Sequence, residues 1–553
     1  MDRVHFGIDS LVFRDQTIFG FGWLFHALEE VATLSLRLVS ADCQEVCDIS
    51  IEYGKPRADV QDSYSASPYS LNSGFVVYGG CAKRIDQITR LSLVGSLAGG
   101  DCFEVHVSSS CLTNLDAPNA SWSHTLRWHR TKSFLRRGWG LIKQGQFAVL
   151  SDKARRHLRG NRKFSEVSVD AIVHSLTLGG PGKNVLVIDH DLGGGANQYR
   201  DGLVADRLSQ GATVLVLSYQ VATLNHMLLV CGRQPDRRYS IPGLSFVRDL
   251  AHRVRFDEVI YNTAVSFVKP EETPDLIVAL KAEQNPFVTM LLHDFFTVCP
   301  SHFLLNHQGV FCNLPEGKKC QECLEKNQQG FATLFQLKSI EHWRTSWGKA
   351  LGVADRIIAF SNSSLQLLSR AYPQLDLSHA EILPHKVAPL RSEPLLPSQV
   401  TALRIGVVGH IGYHKGAKIV QDLAREIARR DAKIQIVVFG TLDANCPERV
   451  VTVTGPYKQA QLPVLISDHG VNTFLFPSIC PETFSYVVQE LMELHCPVAC
   501  FDLGAPAERL RNYSKGLILR EQGGSAVLDA LIEFHRKTYL LPTACAISAE
   551  DAA

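Results

Sequence analysis

Two glutamates near the end of the chain, Glu482 and Glu490, have a spacing that suits an extended ligand. The apolar run at 473–478 predicts a buried strand, so Glu482 is expected in the turn after it and Glu490 two turns into a helix. At 1.5 Å per residue they would lie about 12 Å apart along the helix axis, too far to act on one atom. The helix N-terminus between them would offer free N–H groups and a positive dipole end to a diphosphate. Taken alone, however, the spacing favours two ordinary surface glutamates.

A glycine-rich turn, Gly193-Gly194-Gly195, follows the apolar run at 184–190 and could also bind phosphate. Glycines let backbone N–H groups approach an anion at a helix N-terminus. A dinucleotide-binding fold also needs an acidic residue at the end of its second strand to hold a ribose. The residues after the second predicted strand, at 218–220, carry no carboxylate. A nicotinamide-dependent dehydrogenase therefore loses its key contact.

Four cysteines form another group of side chains that could do chemistry. They are Cys299, Cys312, Cys320 and Cys323. The last two have the C-x2-C spacing of zinc ligands, and four thiolates would close a tetrahedral structural zinc site in which His302 or His307 could replace one ligand. The alternative is reduced, unliganded thiols, because the chain has 15 cysteines and the first two of the four are widely spaced.

The apolar runs divide the chain into parts that must position these residues. Short alternating runs separated by turn residues predict a β-sandwich over 1–112. Two successive α/β units follow, 181–396 and 397–540, and their apolar strands predict two doubly wound parallel sheets that face each other across a cleft. The Cys-rich loop 299–323 belongs to the first unit. The small polar tail 541–553 is expected to be frayed.

The segment 113–180 is rich in Arg and Lys, with Trp122, Trp128 and Trp139 interleaved. Basic residues with interfacial aromatic side chains suit an anionic membrane surface, at about 1 kcal/mol per cation close to the lipid. A solvated basic linker explains the composition equally well. Nucleic acid is disfavoured as a partner because no binding motif accompanies the charge.

The overall composition points to a cytoplasmic protein. The 56 Lys and Arg residues nearly balance the 55 Asp and Glu residues, so no whole-protein attraction to nucleic acid or membrane is expected. The start of the chain lacks the apolar core of a signal peptide, and we find no uncharged apolar run of the roughly 18 residues that span a bilayer. The many cysteines fit reduced thiols. Peripheral contact with the inner membrane face stays open.

The elements between 181 and 520 resemble, in their order, the retaining GT-B glycosyltransferases known as glycosyl transferases group 1. The elements that carry the resemblance are the turn 193–195, His293-Asp294, Gly409 with Lys415-Gly416, Gly455-Pro456-Tyr457, Pro477-Ser478, the two glutamates, the run 497–502 and Ala505-Pro506-Ala507-Glu508. The segment 53–60, followed by Asn72-Ser73-Gly74-Phe75, resembles an accessory β-sandwich of some bacterial glycosyltransferases. Such a sandwich binds glycan or serves as a packing module, and both remain open.

The resemblance implies a role for several residues. Glu482 would accept hydrogen bonds from the donor sugar, and Glu490 from the ribose of its nucleotide. Lys415 would neutralise the diphosphate, and His293 would stand beside the donor sugar from across the cleft. The catalytic residues implied are His293, Lys415 and Glu482, and the donor-binding residues are Gly194, Gly195, His410, Ser478, Thr483, Phe484, Ser485 and Glu490.

The activity implied is transfer of a sugar, with retention, from a nucleotide-sugar donor to a bacterial surface polysaccharide or lipid-linked glycan. Its main catalytic task would be to stabilise charge on the departing nucleoside diphosphate, and the resemblance implies no catalytic metal. One departure is His410, which stands where many members have an arginine as a second diphosphate cation. Histidine is a poorer fixed cation, because it loses its charge near neutral pH. The alternative is a catalytically degenerate GT-B protein that binds glycan or nucleotide.

Overall fold

The computed structural model describes residues 3–40, 46–81, 84–116, 167–177, 182–232, 236–315, 317–327, 339–387 and 402–540. The predicted basic segment 113–180 lies outside them except for 113–116 and 167–177. The predicted tail 541–553 lies outside them entirely. The described ranges contain three β-sheets.

The N-terminal region is β-rich, as predicted. Its elements are β1 (Val4–Arg14), β2 (Thr17–His26), β3 (Val31–Ser40), β4 (Val46–Lys55), α1 (Ala58–Ser63), β5 (Gly74–Gly80), β6 (Ile88–Leu97), β7 (Cys102–Val107) and β8 (Leu112–Asn114). Hydrogen bonds join the strands in the order β7-β6-β3-β4-β5-β2-β1-β8. One apolar cluster takes side chains from distant strands, such as Leu93 of β6 and Leu11 of β1. The sheet must therefore curl around its core, while packing as a two-layer sandwich stays a prediction.

The second sheet has the predicted α/β character. Its unit contains α2 (Val169–Thr177), β9 (Asn184–Ile188), α3 (Gly195–Ser209), β10 (Thr213–Gln220), β11 (Asn225–Cys231), β12 (Arg237–Ile241), α4 (Leu244–Ala251), β13 (Glu258–Tyr261), α5 (Glu272–Gln284), β14 (Phe287–Leu292), α6 (Gly317–Lys326), α7 (Ile340–Gly352), β15 (Arg356–Ala359), α8 (Asn362–Ala371) and β16 (Ala380–Ile382). The order is β12-β11-β10-β9-β13-β14-β15-β16. Strands β10 to β16 along this order are parallel, and β11 and β12 extend the sheet as antiparallel strands. Alternate residues of β9 enter two different apolar clusters, which explains its unbroken apolar run.

The third sheet is parallel throughout. Its unit contains β17 (Arg404–Ile411), α9 (Ala417–Arg429), β18 (Gln435–Leu442), β19 (Val451–Val453), α10 (Leu462–Asp468), β20 (Thr473–Phe476), α11 (Tyr486–Glu493), β21 (Val498–Phe501), α12 (Gly504–Leu510), β22 (Gly516–Leu519) and α13 (Gly524–His535). The order is β19-β18-β17-β20-β21-β22. Two Rossmann-like sheets are thus present, as predicted.

The strand orders indicate where a ligand would bind. In each α/β sheet the chain runs outward from a central strand and then returns to that strand's other side, at β9 and β13 in one sheet and at β17 and β20 in the other. Open α/β sheets bind ligands at such switch points, beyond the carboxyl ends of the strands. The glycine turn follows β9, and the Lys415 loop follows β17. Among the helices in the described ranges, none combines the length and the apolar character needed to cross a membrane.

Candidate functional site

Lys415 and Glu482 face each other at the carboxyl end of the third sheet. Lys415 lies in the loop between β17 and α9, and Glu482 lies in the turn between β20 and α11. Their Nζ and Oε1 atoms are 2.5 Å apart, and the side chains are 35 % and 14 % exposed. Burial lowers the pKa of Lys415 and the Glu482 carboxylate raises it, with a net upward shift. The pair therefore places a fixed cation and a carboxylate in one partly shielded position.

The Lys415 loop is held against the residues that follow β20. Gly416 has a φ of +84°, and a Cβ at this position would lie 2.0 Å from the carbonyl oxygen of Pro477. Because any side chain would collide with the backbone, only glycine lets the two loops approach this closely. The buried hydroxyl of Ser478 donates a hydrogen bond to the carbonyl of His414 at 3.3 Å. Ser478 thus uses its hydroxyl to support the Lys415 loop.

The turn that carries Glu482 is bonded to the start of α12. The N–H of Ala505 donates to the carbonyl of Glu482 at 2.8 Å. Gly504 has a φ of +59°, and a Cβ there would lie 2.6 Å from the backbone N and O of Glu482. The helix α11 begins after this turn, at Tyr486, with Ser485 as its N-cap. Glu490 is the fifth residue of that helix, so the prediction of two helical turns before it is wrong.

Glu490 is held inside the third sheet's unit with 6 % of its surface exposed. Its Oε1 atom accepts a hydrogen bond from Nε2 of Gln459 at 2.6 Å. Burial raises the pKa of Glu490 to about 7, although the Gln459 bond works in the opposite direction. A carboxyl group in this position titrates near neutral pH and can accept hydrogen bonds from ligand hydroxyls when ionised.

The residues between Glu482 and α11 connect the two α/β units. Thr483, Phe484 and Ser485 are all buried. The hydroxyl of Thr483 donates to the carbonyl of His293, across the cleft, at 2.8 Å. The hydroxyl of Ser485 accepts from the N–H of Val488 at 3.3 Å and so caps α11. Two of the predicted donor-binding side chains therefore have structural hydrogen bonds of their own.

A cluster of aromatic rings fills the contact between the two α/β units. His385 stacks on Phe484 with ring centroids 4.5 Å apart, and its Nδ1 atom is 2.6 Å from the hydroxyl of Tyr486. His293 stacks on Phe360 at 4.4 Å and meets the edge of His385 at 5.3 Å. Burial lowers the pKa of His385 to about 4 and holds the pKa of His293 well below its ordinary range. Both imidazoles are therefore neutral at physiological pH.

One ring nitrogen of His293 is buried and unpaired among the residues that the structure describes. Its Nε2 atom has no hydrogen-bond partner within the described ranges. The neighbouring Asp294 is fully engaged, because its carboxylate accepts from the hydroxyl of Thr263 at 2.6 Å and from the N–H of Phe296 at 2.8 Å. Since buried polar atoms are normally paired, Nε2 of His293 is a candidate contact for a ligand.

The glycine turn after β9 forms a helix N-terminus, as predicted. Gly193 and Gly194 have φ values of +88° and +90°, and Gly194 is the N-cap of α3. The N–H of Gly193 donates to the side chain of Asn197 at 2.6 Å. A Cβ on Gly195 would lie 2.9 Å from the ring of Tyr486, so glycine at this position lets the start of α11 pack against the start of α3. The two predicted donor-binding segments thus meet across the cleft.

Asp189, directly after β9, was not among the predicted site residues. Its fully buried carboxylate accepts from Asn262 at 2.8 Å, from Asn197 at 2.7 Å and from Arg200 at 3.0 Å. Burial raises the pKa of Asp189 to about 6 despite these bonds. An acidic residue at the end of a buried strand was the signal in the sequence. These bonds anchor the glycine turn to the sheet.

Much of this site lies in a segment that matches a known family. Residues 402–537 match the family model described as glycosyl transferases group 1. The C-terminal unit is similar to the group 1 glycosyltransferases. No curated protein matches the chain.

Solved structures of glycosyltransferases are among the proteins to which the chain is similar. Sucrose-phosphate synthase from Thermosynechococcus elongatus is 14 % identical, with 64 % of this chain and 89 % of that chain covered and a TM-score of 0.43. HepE of Anabaena in complex with UDP and glucose is 14 % identical, with 64 % and 90 % covered and a TM-score of 0.41. The lipopolysaccharide outer core galactosyltransferase WaaB is 11 % identical, with 64 % and 91 % covered and a TM-score of 0.41. At these scores the likeness assigns no residue.

His410, the departure from the group 1 pattern, is held by two side chains. It lies in β17 after Gly409, and its ring is 56 % exposed. Its Nδ1 atom is 2.5 Å from the hydroxyl of Thr441, and its Nε2 atom is 3.4 Å from Oδ2 of Asp443. The same carboxylate oxygen binds Nζ of Lys55, from the N-terminal sheet, at 2.6 Å. Sequence reasoning named neither Asp443 nor Lys55 as a site residue.

The four cysteines of loop 299–323 do not assemble a metal site. No group of three or more His, Cys, Asp or Glu side chains in the described part of the chain is placed to hold a metal ion, Cys299, Cys312, Cys320 and Cys323 included. Burial raises the pKa of Cys299 to about 12 and also raises the pKa of Cys312 and Cys323. The thiol of Cys320 donates to the carbonyl of Pro315 at 3.3 Å. The predicted zinc ligand set is thus not formed by these side chains as they are placed.

The Cys-rich loop instead contacts the C-terminal unit next to Lys415. Phe303 stacks on His414 with ring centroids 3.9 Å apart and an angle of 9° between the planes. The hydroxyl of Tyr413 donates to the carbonyl of Gly309 at 3.3 Å. Leu305 belongs to the apolar cluster of the third sheet. The loop therefore supports the segment that carries the candidate phosphate-binding lysine.

Proposed function

We propose that this chain is a retaining, nucleotide-sugar-dependent glycosyltransferase whose donor site lies between the two α/β units. The observation that carries the proposal is the ion pair of Lys415 and Glu482 inside the segment that matches the group 1 family. A cation and a carboxylate 2.5 Å apart can address the diphosphate and the sugar of one donor molecule. In this proposal 181–396 is the acceptor domain, 397–540 is the donor domain and 1–112 is an accessory domain.

Each residue of the proposed site has one task. Lys415 neutralises the diphosphate, and Glu482 accepts hydrogen bonds from the sugar hydroxyls. Glu490 accepts from the ribose hydroxyls of the nucleotide. His293 addresses the sugar through its neutral Nε2 atom, which is otherwise unused within the described ranges. The remaining donor contacts are assigned to Gly194, Gly195, His410, Ser478 and the backbone N–H groups of Thr483, Phe484 and Ser485.

The proposed reaction exchanges one bond at the anomeric carbon of the donor sugar. The bond from that carbon to the diphosphate oxygen breaks, and a bond to the acceptor hydroxyl oxygen forms on the same face of the sugar. Because the acceptor oxygen attacks the sugar directly, no protein nucleophile is needed, and the acceptor's proton passes to the departing phosphate oxygen. The charge that develops on the nucleoside diphosphate is met by Lys415, which is already fixed by Glu482.

The proposed acceptor is a bacterial surface polysaccharide or a lipid-linked glycan. The basic, aromatic segment 113–180 supports this choice, because it would hold the enzyme at the anionic inner membrane face. This contact and the cytoplasmic location are parts of the proposal. A flotation assay with anionic vesicles tests the membrane contact. If the contact is electrostatic, the chain should bind the vesicles, and added salt should abolish that binding.

Donor turnover by the full chain tests the proposed activity. A thermal-shift panel of nucleotide sugars first identifies the donor, because a ligand that binds the native state raises its melting temperature. Release of nucleoside diphosphate is then measured for the wild type and for Glu482→Gln, which keeps the size of the side chain and removes its charge. We expect the variant to lose at least about 100-fold in rate, as when one preorganised contact to the transition state is removed. Glu448→Gln, at an exposed glutamate of the same unit, is the matched control.

The outcomes separate the proposal from its alternative. Full activity of Glu482→Gln would contradict the assignment of the site. Binding of a nucleotide sugar by the wild type without any turnover would favour the degenerate, binding-only protein. Loss of activity in Glu448→Gln to the same extent would show that the glutamate substitutions act through folding.

A further inference from the structure

The N-terminal β-rich domain touches both α/β units. Towards the second sheet, the hydroxyl of Tyr78 donates to the carbonyl of Ser266 at 2.7 Å. Towards the third sheet, its polar contacts are Lys55 with Asp443, Asn72 with Asn445, and Glu30 with Gln421 and Arg425. One of these contacts, Lys55 with Asp443, continues directly to His410. The domain thus reaches the phosphate end of the proposed donor site.

Asp443 is a buried carboxylate that needs a cation. Its side chain is 4 % exposed, and its Oδ2 atom lies 2.6 Å from Nζ of Lys55 and 3.4 Å from Nε2 of His410. Its Oδ1 atom has no hydrogen-bond partner in the ranges that the structure describes. A buried carboxylate without a counter-charge is costly, and it also repels other anions nearby. Lys55 is the closer of these two neighbours and carries a permanent charge.

The backbone around Lys55 is shaped for this contact. Gly54 has a φ of +91°, and a Cβ there would lie 3.2 Å from the carbonyl oxygen of Asp443. Glycine therefore permits both the left-handed conformation and the close approach of the two domains. Glu52 also lies 3.3 Å from Nζ of Lys55, but its side chain is 70 % exposed. Water screens that second pair more strongly than the buried pair with Asp443.

We propose that Lys55 is a positioning residue of the donor site, which neutralises Asp443 so that Asp443 orients His410 without repelling the donor's diphosphate. The inference rests on the proposed function, because it assumes that His410 borders the diphosphate. The inference assigns the segment 53–60 a role at the donor site in addition to packing between domains. With Asp443 neutralised, His410 would border the diphosphate without an uncompensated anion beside it, although histidine replaces arginine there.

Binding of UDP and GDP to the full chain, measured by calorimetry, tests this inference. Lys55→Met keeps the apolar stem and removes the charge, which leaves Asp443 without its nearest cation. We expect it to weaken binding of the preferred nucleotide about tenfold, the effect of one unscreened charge near the ligand. Lys55→Arg keeps the charge and should bind within about twofold of the wild type. The double variant Lys55→Met with Asp443→Asn removes both charges and should recover most of the lost affinity.

A matched control separates positioning from simple docking of the domain. Glu30→Gln weakens another contact between the same two domains, with Gln421 and Arg425, and leaves Asp443 untouched. It should bind nucleotide as the wild type does. Circular dichroism of each variant verifies that it is folded, and Lys55→Arg provides a folded comparison if Lys55→Met is not.

Three results would overturn the inference. Unchanged affinity in Lys55→Met would show that the pair does not influence the ligand. A double variant as weak as Lys55→Met would show that the effect does not pass through Asp443. Equal losses in Glu30→Gln and Lys55→Met would show that domain docking alone is responsible. A wild type that binds neither UDP nor GDP and is stabilised by no nucleotide sugar in the thermal-shift panel would instead contradict the proposed function, and the inference with it.

Discussion

Replacement of Glu490 by Gln should make the protein more stable at alkaline pH. Burial raises the pKa of this carboxyl group from its ordinary 4.5 to about 7. The folded protein then binds a proton that the unfolded chain releases between these two values. A group of this kind contributes stability below pH 4.5 and loses that contribution as the pH rises through 7. Gln cannot ionise, so Glu490→Gln avoids the loss.

The size of the effect follows from the two pKa values. A shift of one pKa unit corresponds to about 1.4 kcal/mol. The full shift of the Glu490 pKa, from 4.5 to about 7, therefore corresponds to about 3 kcal/mol of unfolding free energy. Between pH 5 and pH 8 the wild type should lose about 2 to 3 kcal/mol of unfolding free energy through Glu490. Other groups titrate in both proteins and cancel from the comparison. The amide oxygen of Gln can still accept the bond from Gln459, so the packing is retained.

Urea unfolding of both proteins, followed by circular dichroism at pH 5 and pH 8, measures this difference. The six tryptophans all lie outside the third sheet's unit, so tryptophan fluorescence would miss the relevant transition. Glu448→Gln, at an exposed position, should change the stability by less than about 0.5 kcal/mol at either pH. If Glu490→Gln and the wild type lose the same stability between pH 5 and pH 8, the burial argument is refuted.

Two further predictions concern the loops around the site. Gly416→Ala should abolish donor turnover and cost at least about 2 kcal/mol, because its Cβ would lie 2.0 Å from the Pro477 carbonyl in a left-handed conformation. Gly202→Ala in α3 has open space and an ordinary φ, so equal harm from both substitutions in a thermal melt would argue against the steric reason. Tyr486→Phe removes the hydroxyl that contacts Nδ1 of His385 and should lower the unfolding free energy by about 1 kcal/mol, as measured by denaturant titration. A Tyr486→Phe protein as stable as the wild type would show that this bond contributes nothing.

The sheet strands could be predicted because a strand that is buried on both faces has apolar residues at consecutive positions. Strands β9 and β20 are covered on both faces, so each contains an unbroken run of four or three apolar residues that is visible without any knowledge of its neighbours. The glycine turn was predictable for a similar reason, since glycine, strand and helix signals are adjacent. Local signals of this kind predicted the class and order of the α/β elements.

The start of α11 has a local signal and a remote contact. Ser485 caps the helix and is a typical N-cap residue, whereas the bond from the Ala505 N–H to the Glu482 carbonyl has no trace in the pattern around Glu482. The C-x2-C spacing of Cys320 and Cys323 has two readings in the sequence. These residues lie on α6, where the thiol of Cys320 donates to the carbonyl of Pro315. A spacing that suits metal ligands also suits two positions on one face of a helix.

The salt-bridge partner Lys55 of Asp443 could not be predicted from the sequence, because it comes from another domain. A salt bridge between two domains depends on how the domains dock, and neither Lys55 nor Asp443 carries a local pattern that names the other. The resemblance of 53–60 to an accessory domain pointed to the segment but gave it no task. The assignment of the donor-site residues likewise stays a prediction until turnover is measured.

The contact between Lys55 and Asp443 also has a consequence for the order in which the protein folds during synthesis. The two residues are 388 positions apart. At about 5–20 residues per second, a ribosome needs roughly 20 to 80 seconds to synthesise the chain between them. During that time Asp443 does not yet exist, and Lys55 can pair with Glu52, which lies 3.3 Å from its ammonium group in the folded protein. The site is therefore completed only after the last sheet has folded, and a fragment that holds this sheet alone would lack one of its charges.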